Sequence, residues 1–554
     1  MRTVLILILA VLFRFVYLGT IPNAISGDEL HYALTAKSVF LTGRDITGAW
    51  NPLSAFLFRY PPGENQAELP YFLHLLSSAP FGFSLFWAKL PFAILSVGVV
   101  LLLYGIAKEL FGKTAALAIG LIASVNPWLV VMGRTGYEST PATFFYLLAL
   151  YLLLTLRAWN ILWALLPLLF GFYSYIGTKL ILLPFVALAG LLGYNHHKGK
   201  YLKQYLLVLG ICLLFTVAFI FLLKSSGVSR MGELLLPNSV EVKTQVDEIR
   251  RTAIASPMRP LLVNKYVVYL QMVSSKLFRI FSPTYLFVEG DQFFLPGRQS
   301  FFYYLDFLFL IVGSLALYGK RRFYLGIVGL FIFVGTFPHL FYKTPGDFSG
   351  HLALMFPFII VLIGAGIVQL RSFALWAAIL LYIANIGSFA TVYFSQVPLV
   401  GQGDFQMRVL SRYLNLAGNT NTPITVYSNT SGDLLTKYLF YANAMNRTTM
   451  PEISAINTKG AFSFGGTRFT SCDTGVHDAS PSTLVIYDVI CNMQIPGDNV
   501  FISRLSDGGQ LYKIFGDTVC SKYPLLAYAK GVETRDFNVE QLSEERFCTI
   551  YIHK

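Results

Sequence analysis

Eleven stretches of about 17–25 mainly apolar residues dominate the first 400 positions, and no other feature constrains the fold as strongly. They lie near 3–19, 83–107, 114–132, 140–156, 159–176, 178–194, 203–223, 301–318, 323–342, 351–369 and 373–394. A helix of that length crosses the hydrocarbon core, and helices satisfy their own backbone hydrogen bonds there. Only 13% of the chain is charged, against about 25% in soluble proteins. The first stretch could be a signal peptide, but no A-x-A-like cleavage site follows it, and Arg14 with Tyr17 suits an uncleaved anchor at the outer interface. The expected fold class is a polytopic α-helical membrane protein of about 11 transmembrane helices with a soluble α/β domain at its C-terminus. The boundaries fall at 1–399 and 400–554, with long outer loops at 20–82 and 224–300.

Charge orients these spans. Residues 1–399 carry 29 Lys+Arg against 15 Asp+Glu, whereas residues 400–554 carry 13 against 14. A cytoplasmic N-terminus puts Lys108, Lys113, Arg157, Lys198, Lys200, Lys203, Lys320, Arg321, Arg322 and Arg371 in inner turns, accompanied by Glu109 as the single acid. The opposite orientation would translocate every one of these short basic turns, which is disfavoured. The expectation is therefore a multi-pass protein of the plasma or inner membrane, with an extracytoplasmic C-terminal domain. The +13 total belongs to membrane turns and gives no support for a nucleic-acid partner.

The tail has its own signals. A helix is expected near 404–417, a strand at 424–428, a helix around 433–443, and strands at 483–488, 510–516 and 547–553. Cys472, Cys491, Cys520 and Cys548 form an even set there, and in an oxidising compartment they predict two disulfides, with three connectivities open. No C-x-x-C suggests zinc.

Chemistry points to the outer loops. Asp28-Glu29 follows the first span and opens a helix expected over 28–42 along the interface. Residues 262–281 read as a second interfacial helix. A carboxylate at the membrane's mouth can take a proton from a hydroxyl acceptor; the same two acids also fit a helix start matched to its dipole. Cations gather at outer span ends: Arg59, Arg134, Lys179, Arg230, Lys343 and His351. They could hold a departing phosphate, or simply snorkel to the headgroups. Glu64, Glu68 and His74 could orient an acceptor or hold a divalent cation with Asp28, although no compact metal-ligand spacing is present and solvated loop acids are the plainer account. No cofactor is otherwise implied.

The ordered set FRFVYLGTIPNAISGDELHYA, LFGKTAALAIGLIASVNPWLVVMGRTGYEST (110–140), YSYIGTKLILLP (173–184), FSPTYLFVEGD (281–291) and HLALMFPF (351–358) resembles GT-C glycosyltransferases of the protein O-mannosyltransferase and lipid A aminoarabinose transferase type. The resemblance runs through most of residues 10–370. It implies inverting transfer of a sugar from a polyprenyl-phosphate donor, on the outer face, to a protein, lipid or glycan acceptor. It implies Asp28 as the base, Glu29 and the Arg134–Glu138 motif shaping the site, and Lys179 and His351 near the phosphate, with Tyr175 also binding substrate. The sequence departs from the family pattern at Glu68-Leu69-Pro70, where a basic residue or histidine before Pro-Pro is usual. A flippase or other transporter is the competing class. Transporters place ionisable groups near the midplane and carry repeats; here Asp306 and Lys89 are the main charges within spans, and the two halves show no repeat.

Overall fold

A computed structural model describes residues 2–48, 50–51, 54, 67–225, 239–254, 256–291, 293–294, 299–341, 348–400, 405–420, 422–456, 460–472, 483–493, 495, 497–504, 508–526 and 536–554. Each apolar stretch coincides with helix. Among the described residues, five helical segments are long and apolar enough to cross a membrane by length and composition: Leu85–Phe111, Gly177–His196, Leu202–Phe221, Arg322–Phe341 and Ser372–Gln396. The other six stretches fall on shorter helices, Thr3–Phe15, Lys113–Val125, Ser139–Thr155, Ala158–Ser174, Tyr304–Lys320 and Phe356–Ile367. The chain is an integral membrane protein. Residues 265–280 form one 16-residue helix, with Tyr266, Leu270 and Phe278 exposed. That pattern suits an interface.

The chain divides into two compact units. The first comprises Met1–Val16, Leu53–Pro70 and Phe92–Tyr393. Lipid offers no hydrophobic drive between helices, so close backbone approach matters, and glycine supplies it. A Cβ on Gly313 would strike the Leu362 carbonyl, and one on Gly366 would strike that of Phe309, so Tyr304–Lys320 and Phe356–Ile367 pack backbone to backbone. Arg14 is fully buried here. It donates to the carbonyls of Ser124 (2.8 Å) and Ala123 (3.2 Å), which end the Lys113–Val125 helix, and to Ser96 Oγ (2.7 Å). Its charge therefore meets a helix C-terminus. Asp306 accepts from the Tyr303 N–H (2.9 Å) at the start of its own helix and from the Tyr382 hydroxyl.

The second unit comprises Tyr17–Pro52, Tyr71–Pro91 and Phe394–Lys554. Its sheet runs β2 (Phe462–Phe464), β3 (Thr467–Thr470), β1 (Ile424–Tyr427), β4 (Leu484–Asp488), β6 (Gln510–Phe515), β5 (Asn499–Ser503). Strand β1 lies parallel to β3 and β4, and the remaining pairs are antiparallel. Helices Phe405–Ala417 and Ser431–Tyr441 lie where the sequence predicts them and share one apolar core with Ile25, Leu30 and Leu34. Cys472 pairs with Cys491 and Cys520 with Cys548.

One strand expectation fails. Residues 544–551 are helix, and only His553 bridges to Phe501. Ser543 accepts from the Arg546 N–H, and Glu544 and Glu545 occupy the first turn. Phe547, Cys548, Ile550 and Tyr551 are all buried, which is helical spacing. The S-x-x-R start and the acids outweigh the strand preference of Thr, Ile and Tyr.

Candidate active site

In the second unit the acidic pair has two environments. Ser26 is the N-cap of the helix Gly27–Thr42; its Oγ accepts from the Glu29 N–H (3.4 Å), and its own N–H donates to Glu29 Oε2 (3.3 Å). This capping box ties up Glu29, which is 2% exposed. The S-x-x-E spacing at 26–29 was the sequence signal for it. Asp28 faces solvent, yet the protein crowded around it raises its pKa above the ordinary carboxylate value, with His31 acting the other way. The pair therefore offers one structural acid, Glu29, and one accessible carboxylate, Asp28.

What aims this helix is the segment before it. Four successive carbonyls accept from buried cations. Lys89 Nζ donates to Pro22 (2.7 Å) and Ala24 (3.4 Å), Arg408 to Asn23 (2.6 Å), and Lys437 to Ile25 (2.9 Å). Arg408 is held in turn by Glu540 at 2.6 and 2.5 Å, and the Ile25 N–H donates to Tyr441 Oη (2.9 Å). An irregular buried segment needs such partners. Sequence reasoning did not assign Arg408 and Lys437; the available signal was a cation at a core position of an amphipathic helix. His74 is also buried, 3.2 Å from Ser78 Oγ through Nδ1, and burial pushes its imidazole pKa down to about 3.

The first unit gathers most of the other candidates. Asn126 caps the short helix Pro127–Met132 by accepting from the Leu129 N–H (3.0 Å), and its amide donates to the Phe301 carbonyl (2.9 Å). Gly133 follows because a Cβ there would collide with Ser96. The turn delivers Arg134, which is fully buried, donates to the Phe13 carbonyl (3.0 Å) and sits 5.6 Å from the Tyr393 ring centre. Tyr137 packs against Phe293, Phe294 and Phe348, and Glu138 begins the helix Ser139–Thr155. Phe348 also meets His351 at 4.9 Å, and His351 stacks on Tyr175 at 5.9 Å. Asp291, closing FSPTYLFVEGD, accepts from the N–H groups of Phe293 and Ser349, both at 2.7 Å. The matched motifs at 134–138, 173–184, 281–291 and 351–358 thus converge within this unit.

Lys179 differs from a bare phosphate ligand. It forms a 2.6 Å ion pair with Glu68, both side chains at 2% exposure or less, inside the rings of Phe172, Tyr173 and Phe219. Arg59, Glu64, Arg230 and Lys343 lie outside the described residues. Among the described residues, no group of three or more His, Cys, Asp or Glu side chains could hold a metal.

Residues 66–222 match the model of the dolichyl-phosphate-mannose-protein mannosyltransferase family. A putative mannosyltransferase of Bacillus subtilis is 33% identical over 102 residues, which is 18% of this chain and 14% of the relative. The chain thus spans only a small part of that relative. Two solved structures are similar at low identity. One is ArnT from Cupriavidus metallidurans bound to undecaprenyl phosphate, at 12% identity, TM-score 0.49, covering 92% of this chain and 97% of that one. The other is the oligosaccharyltransferase AglB from Archaeoglobus fulgidus with an inhibitory peptide and a dolichol-phosphate, at 14% identity, TM-score 0.46, covering 89% and 69%. Residues 66–222, which include the 173–184 motif and much of the 110–140 motif, are thus similar to the protein mannosyltransferase family.

Proposed function

We propose that the chain is an inverting glycosyltransferase that moves a sugar from a polyprenyl-phosphate donor to a hydroxyl-bearing acceptor on the outer face of the membrane. The acceptor oxygen bonds to the anomeric carbon as the bond from that carbon to the phosphate oxygen breaks. The proton passes to the Asp28 carboxylate, and polyprenyl phosphate leaves. The observation that carries this reading is the division of the acidic pair, with Glu29 locked in its cap and Asp28 accessible. The donor class and the sugar-transfer chemistry are supported by the family matched at residues 66–222. We assign Arg134, a buried guanidinium, as the cation that meets the leaving phosphate. Glu138, Tyr175 and His351 shape that region, and the Lys179–Glu68 pair positions it. A cytoplasmic N-terminus and an extracytoplasmic tail are supported by the basic inner turns and by two disulfides, which persist in oxidising compartments.

Asp28→Asn tests the reading. Ser26 caps the helix, so asparagine at 28 leaves the helix intact. Release of polyprenyl phosphate from a radiolabelled donor, at equal folded protein, should fall by about 10²–10⁴-fold, as for loss of a general base. Near-normal turnover overturns the assignment. In the wild type, activity requires ionised Asp28. With the pKa raised, activity should therefore fall on the acid side at a higher pH than an ordinary Asp at about 3.9 would give. His31→Ala removes the opposing influence and should move that limb higher still.

A further inference from the structure

The second unit contains a cleft of about 300 Å³ that the reaction scheme leaves unassigned. One wall is Gly27, Leu30, His31 and Leu34, the i, i+3, i+4, i+7 face of the Gly27–Thr42 helix; the other carries Asp433 and Thr436 of the Ser431–Tyr441 helix. Leu30 and Leu34 are buried and make an apolar floor with half-buried Met407, whereas His31, Asp433 and Thr436 reach solvent as a polar rim. Asp28 adjoins Gly27 and is electrostatically coupled to His31, so the cleft opens beside the candidate base.

We propose that this cleft binds the acceptor, and that the part it holds is a saccharide end. This rests on the reading of Asp28 as base. A sugar ring has one face of C–H groups and a rim of hydroxyls. The apolar floor suits the first and the carboxylate, imidazole and hydroxyl suit the second. The volume is at the small end of ligand pockets, about 300–1,000 Å³, which favours a terminal sugar over a broad protein surface. The space beside Gly27 is empty: a Cβ built there meets no atom within 4 Å. The tail thus supplies acceptor specificity as well as support.

The test uses full-length protein in detergent and saturation-transfer NMR with methyl α-glucopyranoside, methyl α-mannopyranoside and a Ser/Thr peptide as probes. Wild type should transfer saturation to the ring protons of at least one glycoside. Gly27→Leu, which adds bulk where a Cβ meets no atom within 4 Å, and Thr436→Trp, which adds bulk at a lining residue, should weaken that binding at least tenfold, and Gly27→Ala should change it less than threefold. Leucine improves helix propensity over glycine, so misfolding does not confuse the result; the thermal melt checks it. Glycoside binding that survives both filling variants overturns the proposal, as does peptide binding with no glycoside binding, or binding of no probe. Normal turnover in Asp28→Asn would instead remove the base assignment while leaving the cleft result standing.

Discussion

Two buried lysines, one in each unit, solve the same problem in different ways. Lys179 in the apolar unit is met by the Glu68 carboxylate and enclosed by three aromatic rings. Lys437 in the sheet-bearing unit is met by a main-chain carbonyl, that of Ile25. The contrast follows from what each region lacks. Among lipid-facing helices the backbone is already satisfied, and a cation there needs a counter-charge. In the irregular segment 22–25 the backbone itself is short of donors, and cations supply them. The first arrangement neutralises a charge, and the second satisfies a chain.

The comparison can be broken from its strong side first. Glu68→Gln removes the carboxylate that pairs with Lys179 at 2.6 Å, and losing one partner of a buried pair costs about 3–5 kcal/mol. The melting temperature in detergent should drop sharply, and Glu68→Gln/Lys179→Met should recover most of it. A fall of less than a degree would show that the rings alone hold the lysine. Lys437→Met should be milder, about 1–3 kcal/mol, because it orphans one neutral carbonyl. It should also lower turnover without shifting the acid limb of the pH profile, since Asp28 remains but is aimed less well. Unchanged stability and turnover would remove the role given to the cations at Pro22–Ile25. The smallest effect belongs to Ser26→Ala, about 1 kcal/mol for a lost N-cap. Hydrogen exchange should show faster opening at Asp28–Leu30 and little change in the first unit.

Much of this was legible because it depends on local pattern. Apolar runs of membrane length gave the helices, alternation gave β1, β4 and β6, and the position of Asp28-Glu29 marked the start of a helix. The misread 547–553 segment is instructive. Its Thr, Ile and Tyr favour strand, but the Ser543 cap and the two glutamates start a helix whose apolar face is buried. Strands β2, β3 and β5 escaped notice: β2 has three residues, β3 four, and β5 is a five-residue edge strand. Such short runs gain definition only from their neighbours.

The sequence by itself determined that this chain lives in a membrane, that its tail is α/β, and that an acidic pair and several cations are the groups to watch. Hydrophobicity and periodicity are properties of neighbouring residues, so they can be read along the chain. Tertiary structure alone decided which acid is accessible, which cations are already engaged, and how four cysteines pair. It also joined residues 17–52 and 71–91 to the C-terminal sheet in one unit, so that Arg408 and Lys437 hold a segment 385 and 412 positions earlier. Those facts depend on contacts between residues far apart in sequence, where burial and partner geometry fix the role of a charge and residue type alone leaves it open.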